Sequence, residues 1–357
     1  MSKAVGNEVS NEKPLVTFAL IAYNQEKFIQ QAVESAFSQT YSPLEIILSD
    51  DCSTDGTYEI LQEIVKNYNG NHKVILRQTP RNLGVLSHVL NAAYEANGKF
   101  IILAAGDDIS KPERTQKLTD TWKTTNAWGI HSRFDRIDEN GILFGISERS
   151  DYLLKPDYRL RQYFYHQDGD VDIVHGVTSA YDKRLFDFLK NQKTDHILSE
   201  DGVFSLLLNL INEKIAFVDD SLVCYRTHQG SITNSSEINK TFTLQQIKDD
   251  IKKNASYSLS IKCRAQLILD VSNSIQERKL RRLNKEEICI DIEFYEMAYS
   301  WINSKPLDRF FYVLKCRRKD HLLWMLQRLP GYNLFSIIKF TIRYAQNLIQ
   351  IKRNEDK

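Results

Sequence analysis

Leu44-Glu-Ile-Ile-Leu-Ser-Asp50-Asp51-Cys-Ser-Thr-Asp55-Gly56-Thr-Tyr-Glu-Ile-Leu-Gln-Glu-Ile-Val-Lys-Asn-Tyr68 changes period at its middle, and that change decides the fold. Residues 44–49 form a short apolar run with the length of a buried strand. From 55 to 68 the apolar positions Ile60, Leu61, Ile64 and Val65 recur at helical spacing. The same switch occurs on both sides. Upstream, the apolar run 15–21 ends at Ala22-Tyr23-Asn24. A helix is then predicted over 26–39 from Phe28, Ile29, Ala32, Val33, Ala36 and Phe37. Downstream come a strand at 73–77, a helix at 85–96 and a strand at 99–104. Strands alternating with helices imply an α/β fold, with a mostly parallel sheet covered by helices on both faces. Ligands of such sheets bind beyond the carboxyl ends of the strands. Chemistry is therefore expected just after Ile21, Ser49 and Ala104.

Beyond Pro112 the alternation loosens. A helix is expected at 113–124, strand-like sequence at 128–134 and a turn at Glu139-Asn140-Gly141. The polar, aromatic stretch 150–172 yields no assignment, structured sequence resumes over 174–227, and the remainder after Asn234 reads as helical. Three segments follow: a disordered lead-in at 1–12, an α/β domain at 13–234 and a mainly helical region at 235–357. Lys and Arg total 47 against 46 Asp and Glu, so there is no basic field to recruit nucleic acid, and none is expected as a partner. The balance is uneven along the chain, because 301–357 holds twelve basic and four acidic residues. The five cysteines are scattered with no CxxC pair, which fits a reduced compartment without a disulfide framework or zinc knuckle. The lead-in lacks the apolar centre of a signal peptide, and no uncharged apolar run is long enough to cross a bilayer. A cytoplasmic location is expected.

Three acidic groups fall where the sheet predicts a site. Asp50, Asp51, Ser53, Asp55 and Gly56 follow the second strand. Asp55 suits a helix cap, which leaves the pair Asp50-Asp51 to be explained. A calcium loop would place glutamate where Gln62 stands and a helix where the strand stands, so that reading fails. Gly106-Asp107-Asp108 follows the fourth strand, and adjacent carboxylates there repel unless a cation lies beside them. Hard oxygen ligands favour Mn²⁺ or Mg²⁺, shared with substrate phosphate. Ser199-Glu200-Asp201-Gly202 opens an apolar helix and suits a cap or a catalytic acid–base pair. Tyr225-Arg226-Thr227-His228 places a cation and an imidazole on a loop.

Taken in order, Val16 to Asn24, Ser38-Gln39-Thr40-Tyr41, Glu45 to Thr57, Asn82-Leu83-Gly84, Gly106-Asp107-Asp108 and Pro112 resemble the family 2 glycosyltransferases of GT-A fold, of the bacterial polysaccharide type. The resemblance spans about Pro14 to Thr233. It implies a nucleotide-sugar donor, first of all a UDP-sugar, with Asp51 accepting a hydrogen bond from the base and Tyr23 beside it. It implies Asp107 near the ribose, and Asp108 holding the metal that bridges the diphosphate, with His228 a further metal-side residue. Ala105 stands where the family's Asp-x-Asp would put its first carboxylate, so fewer protein ligands are expected. Glu200-Asp201 matches the later acidic motif whose second residue is the general base of an inverting displacement. Arg226 or His228 is expected to assist the leaving diphosphate, and 175–181 to wall the acceptor side.

A nucleotidyltransferase would need a Gly-rich basic loop where Ala22-Tyr23-Asn24-Gln25-Glu26 stands. An inactive sugar-nucleotide-binding scaffold is the other alternative, and nucleoside diphosphate release separates it from a working transferase. The acceptor is expected to be a glycan or a lipid-linked glycan. In 334–351, Lys339, Arg343, Gln346 and Gln350 line one helix face with Leu334, Ile337, Ile338 and Ile342 on the other. With the basic cluster 315–319, this predicts contact with an anionic membrane surface on its inner face. Packing on the catalytic domain or on a second copy in a homodimer competes with that reading.

Overall fold

The computed structural model describes residues 13–147, 163–164, 173–228, 244–275 and 280–301. The readings made on 1–12, on nearly all of 150–172 and on 302–357, including the basic cluster, the amphipathic segment and Cys316, lie outside them.

The first four strands follow the reading closely: β1 (Val16–Ala22), β2 (Leu44–Asp50), β3 (Lys73–Gln78) and β4 (Phe100–Ala105). They pair in parallel in the order β3-β2-β1-β4, with Val16 opposite both Leu44 and Phe100. Side chains alternate across a strand. Phe18, Leu20, Ile46, Leu48, Ile102 and Ala104 therefore enter one core, with α1 (Ile29–Phe37), α2 (Thr57–Lys66) and α4 (Arg114–Thr125) against it. Ala19, Ile47, Ile101 and Leu103 enter the other, against α3 (Val85–Glu95). Burial on both faces is why β1, β2 and β4 are apolar at nearly every position, whereas the edge strand β3 is only partly buried and carries Lys73, Arg77 and Gln78.

Beyond β4 the sheet is mixed. β5 (Ile109–Ser110), β6 (Gly129–Ile137), β7 (Leu143–Ile146), β8 (Ala180–Asp182) and β9 (Ile215–Arg226) extend it as β4-β8-β6-β9-β5, with β7 beside β6. β4–β8, β8–β6, β6–β7 and β9–β5 are antiparallel, while β6–β9 is parallel. β6 runs past Phe134 because β9 accompanies it as far as Arg226, opposite Ile137.

The helix α5 (Glu200–Leu210) is buried from Gly202 onward, which accounts for its all-round apolar sequence. Two further helices, α6 (Leu244–Ser274) and α7 (Lys285–Ser300), confirm the helical reading of this stretch. They share a core with the sheet, since Ala265, Leu267, Ile268, Val271 and Ile288 join α3 and α5. Among the described residues no helix is long and apolar enough to cross a membrane.

Candidate functional site

The loops after β1 and β2 are fastened to each other residue by residue. Ser53 Oγ accepts the Asn24 amide at 2.8 Å, and Asn24 Oδ1 accepts the Thr54 amide at 2.8 Å. Thr57 Oγ1 accepts from Gln25 N at 2.8 Å, Asp55 Oδ2 from Glu26 N at 3.2 Å and Glu26 Oε2 from Gly56 N at 2.9 Å. Asn24 (φ 53°) and Cys52 (φ 59°) take the left-handed turn this requires. Asp55 is not the cap, since Gly56 holds that position, but it accepts the Thr57 amide at 3.0 Å and so braces the start of α2 while tying down the other loop. This fastening starts α1 at Ile29 rather than near 26 and leaves Tyr23 exposed at the mouth.

Asp50 and Asp51 divide the work. Asp50 is fully buried and accepts from Ser53 N and Gln78 Nε2, both at 2.9 Å, which makes it a structural anchor. Asp51 accepts Thr79 Oγ1 and Leu83 N on Oδ1, both at 2.9 Å, and Gly84 N on Oδ2 at 3.0 Å. Asn82-Leu83-Gly84 thus orients this carboxylate. A carboxylate has about four lone-pair sites, and Oδ2 retains one for a ligand N–H. Behind the pair, His88 is buried against Ser49 (2.6 Å), and burial pushes its pKa down to about 4, so it is neutral.

At the end of β4 the chain passes so close to α1 that Gly106 is required. A Cβ there would overlap Gln25 and lie 2.9 Å from Ile29 Cδ1 and 3.0 Å from Ala22 Cβ. Asp107 and Asp108 follow. Asp108 is 5% exposed and its Oδ1 accepts the Arg226 amide at 2.8 Å. Burial and Asp107 push its pKa well up, while that amide, Arg114 and Arg226 pull it back. Arg114 is buried beneath, donating to Ser110 Oγ at 2.9 Å and to Leu103 O at 2.7 Å. Burial lowers its pKa only to about 10, so it stays a cation.

Arg226 differs from its expected role. Its guanidinium donates to Asp107 O at 2.8 Å, Glu139 O at 2.9 Å, Asp138 O at 3.2 Å and Gln31 Oε1 at 2.7 Å, and stacks over Phe28. Those donors are engaged with protein, so Arg226 anchors the Asp107-Asp108 loop to the β6–β7 turn instead of reaching a diphosphate. His228 Nε2 lies 3.0 Å from Asp107 Oδ2, with its ring against Phe28. The structure therefore brings His228 to Asp107, next to Asp108.

The third acidic group lies at the start of α5. Asp201 accepts Gly202 N on Oδ1 at 2.7 Å and Gly176 N on Oδ2 at 3.3 Å, and the Ser199 hydroxyl also bonds Oδ1. Gly176 is needed for close approach, since a Cβ there would lie 2.8 Å from Glu200 Oε1 and 3.3 Å from Asp201 Oδ2. Burial and the adjacent Asp201 push Glu200 up to about 7. Loop 176–179 joins this group to the strand and arginine beside Asp107-Asp108: Leu103 N donates to Ser179 O at 3.1 Å, and Arg114 reaches Val177 O and Ser179 O at 3.5 Å.

A divalent cation fits these residues in one way. Among the described residues no cluster of three His, Cys, Asp or Glu side chains is arranged to hold a metal. Asp108 has one carboxylate oxygen committed to an amide, and Asp107 offers the other carboxylate beside His228. Such a set suits Mn²⁺ or Mg²⁺ held by one or two carboxylates together with substrate phosphate oxygens.

Sequence reading did not find Arg114, His88, or the hub made by Arg226. It also missed Gln39, whose amide bridges Lys111 O at 2.9 Å and Thr115 N at 3.0 Å, joining α1 to the loop that carries Asp107-Asp108. The only signal for Gln39 was its place in the Ser-Gln-Thr motif.

Comparison with known proteins agrees with this geometry. Residues 17–190 match the sequence profile described as "Glycosyl transferase family 2". A stretch of 108 residues is 37% identical to EpsE of Bacillus subtilis, covering 30% of this chain and 38% of EpsE. An uncharacterized glycosyltransferase of Haemophilus influenzae is 26% identical over 96% of this chain and 94% of its own. Glycosyltransferase GlyG of Streptococcus pneumoniae is 26% identical over 61% of this chain and 72% of its own. Among solved structures, S. aureus TarS 1–349 in complex with UDP-GlcNAc superposes with a TM-score of 0.52, 16% identity and coverage of 88% of this chain and 80% of TarS. Mannosyltransferase PcManGT from Pyrobaculum calidifontis in complex with GDP-Man and Mn²⁺ gives 0.50, 14%, 92% and 87%. At these identities the structural likeness is one of fold. Fold, ordered motifs and profile agree: residues 17–190, just under half of the chain, form a glycosyltransferase family 2 domain, within a GT-A fold.

Proposed function

We propose that the chain transfers a sugar from a nucleoside-diphosphate sugar to a hydroxyl of a glycan or lipid-linked acceptor, with inversion at the anomeric carbon. The observation that carries this is the tie between two acidic groups: Asp51, Asp107 and Asp108 at the strand ends, and Asp201 held by Gly176 on the loop that Arg114 binds. In this reading Asp51 receives the base beside Tyr23, and Asp107 the ribose. Asp201 Oδ2, engaged only by the longer Gly176 contact, takes the proton from the acceptor hydroxyl. The acceptor oxygen bonds to the anomeric carbon as the carbon–oxygen bond to the diphosphate breaks, and the diphosphate leaves with the electron pair. Mn²⁺ or Mg²⁺ held by Asp108, with Asp107 and His228 beside it, would supply charge neutralisation for the leaving diphosphate. TarS with UDP-GlcNAc and PcManGT with GDP-Man and Mn²⁺ support a nucleotide sugar and a divalent ion, and a UDP-sugar is the first choice. Contact of 302–357 with an anionic membrane rests on sequence alone, and flotation with anionic vesicles tests it.

A thermal-shift panel of UDP, GDP and dTDP with and without Mn²⁺ is expected to single out one nucleotide whose stabilisation needs the metal. With the matching donor, Asp201→Asn is expected to bind normally and turn over about 10²-fold more slowly or worse. Normal turnover in Asp201→Asn would reject Asp201 as base. Absence of nucleoside diphosphate release from every donor whose nucleotide binds would favour the inactive scaffold.

A further inference from the structure

The acidic motif is held from outside the α/β domain as well as from within it. Ser260 on α6 is buried, and its Oγ accepts the Leu198 amide at 2.9 Å, on the approach to the motif. One helical turn on, Arg264 is 8% exposed and lays its guanidinium on Gly202, directly after Asp201. A Cβ at Gly202 would fall inside the space of that guanidinium, with Cζ at 3.4 Å and Cδ at 3.5 Å. Residues four apart on a helix share a face, so Ser260 and Arg264 grip the chain on both sides of Glu200-Asp201. The same α6 face is anchored by Ala265, Ile268 and Val271 in the core shared with α5. The Ser199 N-cap makes no side-chain cap bond, because its hydroxyl is turned to Asp201. The first turn of α5 therefore draws fixation from α6 as well as from Gly176, and none from a cap side chain.

We infer that Ser260 and Arg264 are positioning residues for the general base, so that α6 forms part of the catalytic apparatus. This rests on the reading of Asp201 as base. The grip fixes the backbone of 198–202 and so the aim of the Asp201 carboxylate toward Gly176 and the acceptor. The contacts that make up this grip lie at Leu198 and Gly202, not on the loops after β1 and β2 or on the Asp107-Asp108 turn. Misplacement of a catalytic group by about 1 Å costs on the order of 10²-fold in rate. A lost neutral hydrogen bond, as in Ser260→Ala, corresponds to about 10-fold or less.

The test uses the full chain with Ser260→Ala, Arg264→Lys and Gly202→Ala. Hydrogen exchange followed by mass spectrometry is expected to show faster exchange across 198–204 in each variant. Peptides covering 50–57 and 104–108 should exchange as in the wild type, with the Mn²⁺-dependent thermal shift by the nucleotide unchanged. With the donor identified by that shift, kcat is expected to fall about 10-fold in Ser260→Ala and 10- to 100-fold in Arg264→Lys, at unchanged donor KM. In an Asp201→Asn background the same substitutions should cost almost nothing further, because the group they aim is already disabled. Unchanged exchange at 198–204 in both Ser260→Ala and Gly202→Ala overturns the inference, and so do kcat losses that simply add to that of Asp201→Asn. Full activity of Asp201→Asn alone would instead reject the base assignment, whatever the exchange data show.

Discussion

Replacing Arg226 by Met tests whether one buried guanidinium holds the Asp107-Asp108 loop in place. Four charge-assisted hydrogen bonds are lost, to Asp107 O, Asp138 O, Glu139 O and Gln31 Oε1, and their acceptors are left without that donor. Taken singly, hydrogen bonds to charged groups contribute about 1.5–3 kcal/mol each, a gross of roughly 6–12 kcal/mol. The substitution also removes the cost of burying a charge, since Arg226 is only 1% exposed. The net should therefore resemble the breaking of a buried charged network, about 3–5 kcal/mol. At about 2.1 cal/mol/K per residue, the 357-residue chain has an unfolding entropy near 0.75 kcal/mol/K. The expected fall in Tm is then about 4–7 °C. The backbone amide bond from residue 226 to Asp108 survives, so metal-dependent nucleotide binding should weaken by about 10-fold rather than vanish. Arg226→Lys keeps the charge without the planar fork, and should recover less than half of the lost stability. Differential scanning fluorimetry with and without nucleotide and Mn²⁺ measures both effects. A Met variant that melts within 1 °C of wild type and binds the nucleotide equally well would refute the anchoring role.

Glu200 has its pKa raised from 4.5 to about 7, so its contribution to stability is complete below about 4.5 and is lost as pH rises through 7. Glu200→Gln should therefore gain about 2–3 kcal/mol relative to wild type at pH 8 and almost nothing at pH 4.5, measured by urea unfolding at both pH values. Gly106→Ala drives a methyl into Gln25, Ile29 and Ala22, and is expected to lower stability by about 1–3 kcal/mol, with a parallel loss of nucleotide binding in calorimetry. Mn²⁺ without nucleotide should bind weakly, and the nucleotide should tighten it at least 10-fold. Equal Mn²⁺ affinity in both titrations would show a preformed metal cage.

Strands β1, β2 and β4 were legible because burial on both faces leaves a continuous apolar signature, and the carboxyl ends of β2 and β4 located Asp50-Asp51 and Asp107-Asp108, while Glu200-Asp201 opens α5. The partners of the polar motif residues were not legible. Ser53 and Thr57 look like ligand contacts in a motif, yet they fasten the backbone of Asn24 and Gln25, about thirty positions away. Arg226 reads as a loop cation because its four partners come from three separate segments, the farthest being Gln31. Arg114 sits at the start of an amphipathic helix, where arginine is ordinarily solvated, and only the folded sheet shows it beneath Asp108. Local periodicity encodes which face is buried. It carries no record of which distant carbonyl a buried guanidinium will meet.

The electrostatics of the Asp107-Asp108 turn follow from that same pair of arginines. Two adjacent carboxylates alone would form a strongly negative site that recruits a divalent cation unaided. Arg114 beneath and Arg226 alongside bring two positive charges to the same place, and both act on Asp108. The protein side of the site is thereby close to neutral before any ligand arrives. A divalent cation entering such a site gains little from the protein's field, and Ala105 removes the further carboxylate that could have compensated. A nucleoside diphosphate brings two or more negative charges and several hard oxygen ligands, so the ion is held best when donor and carboxylates share it. Metal and donor should thus be retained together, and release of the nucleoside diphosphate should carry the metal's affinity away with it.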